Sequence, residues 1–393
     1  MSKINLAVFN TQPPHKYYGG VERRIIEIAS RLSHQINTTV YSGTKSGFRK
    51  GTKIDGIKFI PIFSTDKLYP IDNWFFNNSI AGFFEKINAD VYESHAVSGY
   101  KFVKKLRKKN KKTPFIQTIH GVLADEYMQA TKLSYSSLQT KLANLAMWRL
   151  AKFEKQAAKD ANLVVTISKY TKNKIMQYYN IKKDKIRIVP NGVDTKKFQP
   201  VYNQDKIKDQ FGIKNRPCIL YVGRLIPRKG LLFLVQAAKQ IVAELNKTIF
   251  IIVGEGPQKL QLISNLEKNR LLKNFLFLGD VKEKELPLIY NSSDIFVFPS
   301  IQEGQGIALL EAQATALPVV SFNLSGIKET VLDNETGFLI KPDSKKLAEV
   351  VLKLLKNKKL CNEMGKKGRE FVLNNFSWEK SADALLEIYN EVT

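Results

Sequence analysis

Glu303-Gly304-Gln305-Gly306-Ile307-Ala308-Leu309-Leu310-Glu311 decides how this chain is read. The run before it, Ile295-Phe296-Val297-Phe298-Pro299, has the unbroken apolar character of a strand buried in a parallel sheet. Ala308, Leu309, Leu310, Ala312 and Ala314 open an apolar helix after it. Two carboxylates and two glycines therefore stand where a strand hands over to a helix. Open α/β sheets bind ligands there, at the carboxyl ends of their strands. Glycine lets a ligand approach the backbone, and a helix N-terminus offers N–H groups to an anion. The carboxylates cannot serve that anion, but they suit a partner rich in hydroxyls, such as a sugar. A plain glycine turn with two solvated glutamates explains the stretch in isolation equally well.

Composition narrows the field. With 393 residues, 44% hydrophobic and 25% charged, the chain has enough material for two soluble domains, each with its own core. No apolar stretch reaches membrane-spanning length, and Met1-Ser2-Lys3-Ile4 runs into a strand without a signal-peptide segment. Cys218 and Cys361 form neither a disulfide framework nor a metal spacing, which implies a reducing cytoplasm. His15, His34, His95 and His120 never fall at metal-ligand spacing.

The net charge of +26 is lopsided. Residues 1–200 hold 35 Lys+Arg against 14 Asp+Glu, and residues 201–393 hold 27 against 22. Lys104 to Lys112 alone places seven cations in nine residues. Such asymmetry draws the first half towards an anionic surface. A Lys-rich composition explains the total better than the imbalance. Nucleic acid is the rival partner on charge alone, but the chain has no aromatic-basic RNA motif and no zinc spacing.

Strand-like runs recur at Lys3–Phe9, Val40–Tyr41, Gly56–Ile60, Ala89–Glu93, Pro114–Thr118 and Asn162–Ser168, mostly with helical patterns between them. Leu138–Lys159 reads as a long amphipathic helix; Trp148, Arg149, Lys152 and Lys155 would suit an interface, although burial of its apolar face is the simpler fate. Ile219-Leu220-Tyr221-Val222-Gly223 is followed by Arg224-Leu225-Ile226-Pro227-Arg228-Lys229-Gly230 and a helix from Leu231. Cations between glycines in a strand-to-helix loop make a diphosphate clamp.

Glu303-Gly-x-Gly with Glu311 eight residues on resembles the signature of retaining glycosyltransferases of family 4. The resemblance implies the α/β GT-B fold, two Rossmann-like domains with parallel sheets facing across a cleft. It divides the chain into an acceptor-side domain, 1–198, and a nucleotide-sugar domain, 199–375, with a helix at 376–391 packing back on the first. It assigns Arg224 and Lys229 to the donor pyrophosphate, Glu303 to the transferred sugar and Glu311 to the ribose, and Thr118-x-His120-Gly121 resembles the family's donor-side histidine, which makes His120 a candidate catalytic residue of the first domain. Gly19, Gly20, Gly223, Val281, Gly304, Gln305, Gly306 and Ile307 become donor contacts. Gln305 departs from the aromatic or small residue usual there, and Ala316 from a glycine; both blur donor specificity.

The expected reaction is retaining transfer from a UDP-sugar or GDP-mannose to a lipid-linked or surface-glycan acceptor, with no cofactor and no metal. Cations stand in for a metal, and the chain has no Asp-x-Asp motif. The expected location is the cytoplasm, with peripheral attachment to the inner membrane face through the basic half. A soluble small-molecule acceptor is the alternative. A phosphorylase-like enzyme using free phosphate would need a cofactor lysine motif, which is missing from the sequence.

Overall fold

The computed structural model describes residues 3–17, 19–66, 71–132, 138–201, 208–209 and 211–393. The chain divides into two units, Met1–Asn191 with Trp378–Thr393, and Gly192–Ser377. The crossing at Gly192 comes before the expected boundary after residue 198. Val193 and Phe198 are already buried in the second unit's core, and the Val193 N–H donates to Phe376 O at 2.9 Å.

The first unit contains β1 Ile4–Asn10, α1 Gly20–Arg31, β2 Ile36–Gly43, β3 Thr52–Ile54, β4 Ile57–Ile62, α2 Ile71–Gly82, β5 Val91–His95, α3 Tyr100–Lys108, β6 Phe115–Ile119, α4 Leu123–Lys132, α5 Leu138–Asp160, β7 Leu163–Thr166, α6 Lys169–Tyr179, β8 Ile186–Ile188 and the chain-terminal α13 Trp378–Val392. Its sheet runs β3-β4-β2-β1-β5-β6-β7-β8. Every pair is parallel except β3–β4. The order reverses between β1 and β5, which sets a topological switch point at their carboxyl ends. Residues of β5 and β6 are buried throughout, as strands covered on both faces require. Phe9 packs against Phe102 with ring centroids 4.7 Å apart, and Tyr92 and Phe115 complete an aromatic core.

Two polar ties hold α1 and α13 to this sheet. Arg24 of α1 is fully buried, and its Nη1 donates to Val189 O at 3.0 Å, Pro190 O at 3.2 Å and Asn191 Oδ1 at 3.0 Å. In α13, Ser381 Oγ donates to Pro190 O at 2.7 Å, and the Tyr389 hydroxyl donates to Glu93 of β5.

The second unit contains β9 Cys218–Val222, α7 Leu231–Glu244, β10 Ile249–Val253, α8 Lys259–Lys268, β11 Phe275–Gly279, α9 Leu286–Asn291, β12 Ile295–Phe298, α10 Ile307–Ala314, β13 Val319–Phe322, β14 Gly337–Ile340, α11 Ser344–Leu355 and α12 Lys358–Asn375. The sheet β11-β10-β9-β12-β13-β14 is parallel throughout. Its order reverses between β9 and β12, whose register pairs Ile219 with Ile295 and Leu220 with Phe296. The basic loop after β9 and the Glu-Gly-x-Gly loop after β12 thus leave the sheet side by side, at the switch point.

Candidate active site

Backbone contacts strap these two loops together. Ile301 N donates to Arg228 O at 2.8 Å, and Arg228 Nη1 donates to Gln302 O at 3.1 Å. Across the strap, Lys229 Nζ forms an ion pair with Glu303 Oε1, which also accepts from Ser300 Oγ at 2.9 Å. Lys229 Nζ lies 5.2 Å from the Phe298 ring centroid, a cation–π distance. Burial pushes the Glu303 carboxyl up, but the Lys229 and Arg228 charges and the hydrogen bonds from Lys229 and Ser300 outweigh it and hold the group below its ordinary value. Glu303 is therefore a carboxylate, and Lys229 sits beside it.

A second clamp fixes the Glu303 backbone. Its N–H donates to Ser325 Oγ at 3.0 Å, and its carbonyl accepts from Gly326 N at 3.1 Å. Gly306 precedes α10 with φ of 86°, a left-handed conformation that glycine adopts without strain. From there Ile307 starts α10, an eight-residue helix whose N-terminus opens at the switch point.

The structure thus brings Lys229, Glu303, Gly304, Gly306 and Ile307 together, with Gly223 at the head of the basic loop. Arg224 lies in that loop with its side chain exposed, and it is Arg228 that reaches the Glu303 loop. Gln305 is buried rather than presented outward. Glu311 is buried in α10, where its Oε2 accepts from the Tyr290 hydroxyl at 2.7 Å. Val281 follows β11, half-buried against the core. The resemblance gave Arg228 no role beyond that of a cation in the basic loop, and nothing in the sequence singled out Ser300, Ser325 or Gly326. A Ser-Gly pair just after β13 is a turn signal, but its target 22 residues earlier in the chain has no local signature.

In the first unit, Gly19 caps α1 and Gly20 begins it. Half-buried His120 follows β6, its Nε2 2.9 Å from His95 Nδ1. Burial, with His95 and Arg24 nearby, pushes the His120 imidazolium well below its ordinary pKa, so the ring is neutral. Among the described residues no group of three or more His, Cys, Asp and Glu side chains is arranged to hold a metal, and no helix is long and apolar enough to cross a membrane.

Two sheets, one parallel throughout and one parallel but for its β3 edge, each reversing at its own switch point, form the two α/β domains of a GT-B protein. The model for glycosyl transferases group 1 matches residues 203–371, and that for glycosyltransferase family 4 matches residues 18–197. An uncharacterized glycosyltransferase of Methanocaldococcus jannaschii is 28% identical over the full length of both chains. The Escherichia coli UDP-Gal:alpha-D-GlcNAc-diphosphoundecaprenol alpha-1,3-galactosyltransferase is 30% identical over 279 residues, 70% of this chain and 68% of the relative. Among solved structures, sucrose-phosphate synthase from Thermosynechococcus elongatus superposes with a TM-score of 0.85 at 21% identity, covering 99% of both chains. Anabaena HepE in complex with UDP and glucose gives 0.79 at 18% identity, covering 99% of this chain and all of that one. The chain belongs to the group 1 glycosyltransferases, and its activity is glycosyl transfer.

Proposed function

We propose that the protein is a retaining, metal-independent glycosyltransferase that moves a sugar from a nucleoside diphosphate to a lipid-linked acceptor. The observation that carries the reading is the Lys229–Glu303 pair at the β9/β12 switch point, a cation for a diphosphate beside a carboxylate for sugar hydroxyls. Relatives support the donor class: one is named for UDP-Gal, another for GDP-mannose, and a structural neighbour holds UDP-glucose. Lys229, Arg224 and the α10 N–H groups would stabilise charge building on the departing diphosphate. The leaving phosphate then takes the acceptor proton, and attack from the same face retains the anomeric configuration. Glu303 orients the sugar, Glu311 the ribose, and His120 contacts the sugar. Gly19, Gly20, Gly223, Gly304, Gly306, Ile307, Gln305 and Val281 line the donor in this reading.

A panel of UDP- and GDP-sugars, scored by thermal stabilisation and by nucleotide release, tests it. At least one is expected to stabilise the protein and turn over equally with EDTA or with added magnesium. Activity lost in EDTA and restored by magnesium or manganese would overturn metal independence; no binder among the panel would overturn the donor class.

The acceptor reading leans on the first unit's surface. α3 buries Tyr100, Phe102, Val103 and Leu106, which turns Lys104 and Lys108 outward. Not all of the basic run is available to a membrane: Lys109 and Lys111 pair with Glu85 and stand over the Phe84 ring. Exposed rings lie elsewhere on the same unit. Trp74 is 53% exposed with Lys101 Nζ 5.3 Å from its centroid, and Phe63 and Phe83 are exposed too. Rings beside lysines suit the interface of an anionic bilayer, where each near-surface cation contributes roughly 1 kcal/mol. The full-length protein is expected to float with anionic vesicles at low salt and to release as salt shortens the Debye length below about 8 Å. Trp74→Ser with Lys104→Gln and Lys108→Gln is expected to abolish flotation. Indifference to anionic vesicles, or flotation unchanged in that variant, would leave a soluble acceptor as the better account.

A further inference from the structure

Beneath His120 runs a buried polar chain. His120 Nε2 meets His95 Nδ1 at 2.9 Å, and the His95 Nε2 on the far side lies 3.5 Å from Glu93 Oε1. Glu93 Oε1 accepts from Thr118 Oγ1 at 2.6 Å, and Glu93 Oε2 accepts from the Tyr389 hydroxyl. Glu93, His95 and Thr118 are buried in adjacent strands β5 and β6, while Tyr389 arrives from α13. The Arg24 guanidinium shares a small cavity with Glu93, His95 and Tyr389. Burial lowers its pKa only to about 10, so it stays charged at neutral pH.

The hydrogens along this chain can be assigned from its ends. Two hydroxyls direct their hydrogens at Glu93, so both of its oxygens act as acceptors. At 3.5 Å from that carboxylate, a hydrogen on the facing His95 nitrogen is electrostatically favoured over a lone pair. His95 is neutral: burial pushes it down to about 4, with Glu93 pulling up and Arg24 pushing down. A neutral ring with its hydrogen on Nε2 has only a lone pair at Nδ1. The hydrogen in the 2.9 Å contact therefore sits on His120 Nε2. His120, also neutral, keeps a bare Nδ1.

We infer that Glu93, His95 and Tyr389 are positioning residues that lock His120 in its Nε2–H tautomer, so that its Nδ1 accepts a hydrogen bond from a sugar hydroxyl and cannot donate one. The inference rests on the reading of His120 as a sugar contact, and it ties that contact to the C-terminal helix through Tyr389.

Long-range proton–nitrogen NMR spectra of the full chain, labelled at histidine, test the tautomer directly. With four histidines in the sequence, His15→Asn and His34→Asn suffice to isolate the pair. His95 and His120 are both expected as Nε2–H tautomers at neutral pH; an Nδ1–H or rapidly averaging His120 would overturn the inference. In Glu93→Gln the carboxamide can donate to His95 Nε2, which reverses the chain. His120 then becomes Nδ1–H, and kcat is expected to fall about tenfold, the worth of one hydrogen bond, with a smaller change in donor KM. A folded Glu93→Gln protein with an unaltered His120 tautomer would also overturn it, and if that variant does not fold, the wild-type spectrum still decides. Full transfer by His120→Ala is a different failure: it removes His120 from the sugar site and leaves the tautomer standing.

Discussion

Lys229→Met and Glu303→Gln are each expected to cost donor-saturated turnover on the order of 100-fold or more, the scale seen when one charge-directed contact in a preorganised site is removed. The two side chains compensate each other, with Lys229 12% and Glu303 9% exposed. An incoming diphosphate would compete for Lys229, while sugar hydroxyls would take over the carboxylate lone pairs. Either substitution also leaves a charge poorly solvated, which for buried pairs costs about 3–5 kcal/mol. Arg228 stays near Glu303, so the Lys229 variant is expected at the lower end. Stability and chemistry can be separated. The double variant, carrying no charge at either position, is expected to recover much of the lost melting temperature and none of the transfer. Turnover near wild type in either single variant would end the assignment. Activity that returned together with stability would reduce the pair to scaffolding.

The central strands were legible because a parallel sheet covered on both faces buries them: β5 and β6 are buried at every residue, and β10 and β12 are buried as continuous apolar runs. β3 had no such signal. All three of its residues are exposed, and it pairs antiparallel at the sheet edge, so neither periodicity nor composition marks it. The site divides along the same line. Lys229 and Glu303 lie in loops whose glycines and charges announce a strand-to-helix turn, and topology brings the loops side by side. Arg228 could not be ranked above Arg224 from sequence, because what distinguishes them is the Gln302 carbonyl, 74 residues away in the chain. The histidine chain was hidden for a similar reason. His95 and His120 are 25 residues apart, and Glu93 looks like any strand-end glutamate until Tyr389 closes on it.

Gly326→Ala is expected to lower kcat on the order of 100-fold with the second unit still folded. The turn Ser325–Glu329 follows β13 and holds the Glu303 backbone from both directions. Gly326 does not occupy the left-handed region, so alanine introduces no conformational strain there. The obstacle is contact: an added methyl would overlap the Gly304 carbonyl oxygen and stand 3.2 Å from Glu303 O. Both are backbone atoms, so no rotamer change relieves the overlap and one of the two loops has to move. Ile327 and Val331 anchor the turn in the core, and the opposite loop, with half-exposed Gly304, yields more easily. Displacing Gly304 and Glu303 by about 1 Å is enough for a 100-fold loss when positioning carries the rate. Gly82→Ala is the matched control, since a methyl there meets open space, and its turnover is expected to equal wild type. Wild-type kcat in Gly326→Ala, with an unchanged melting temperature, would show that the Glu-Gly-x-Gly loop sets its own geometry and that the turn after β13 does not position Glu303.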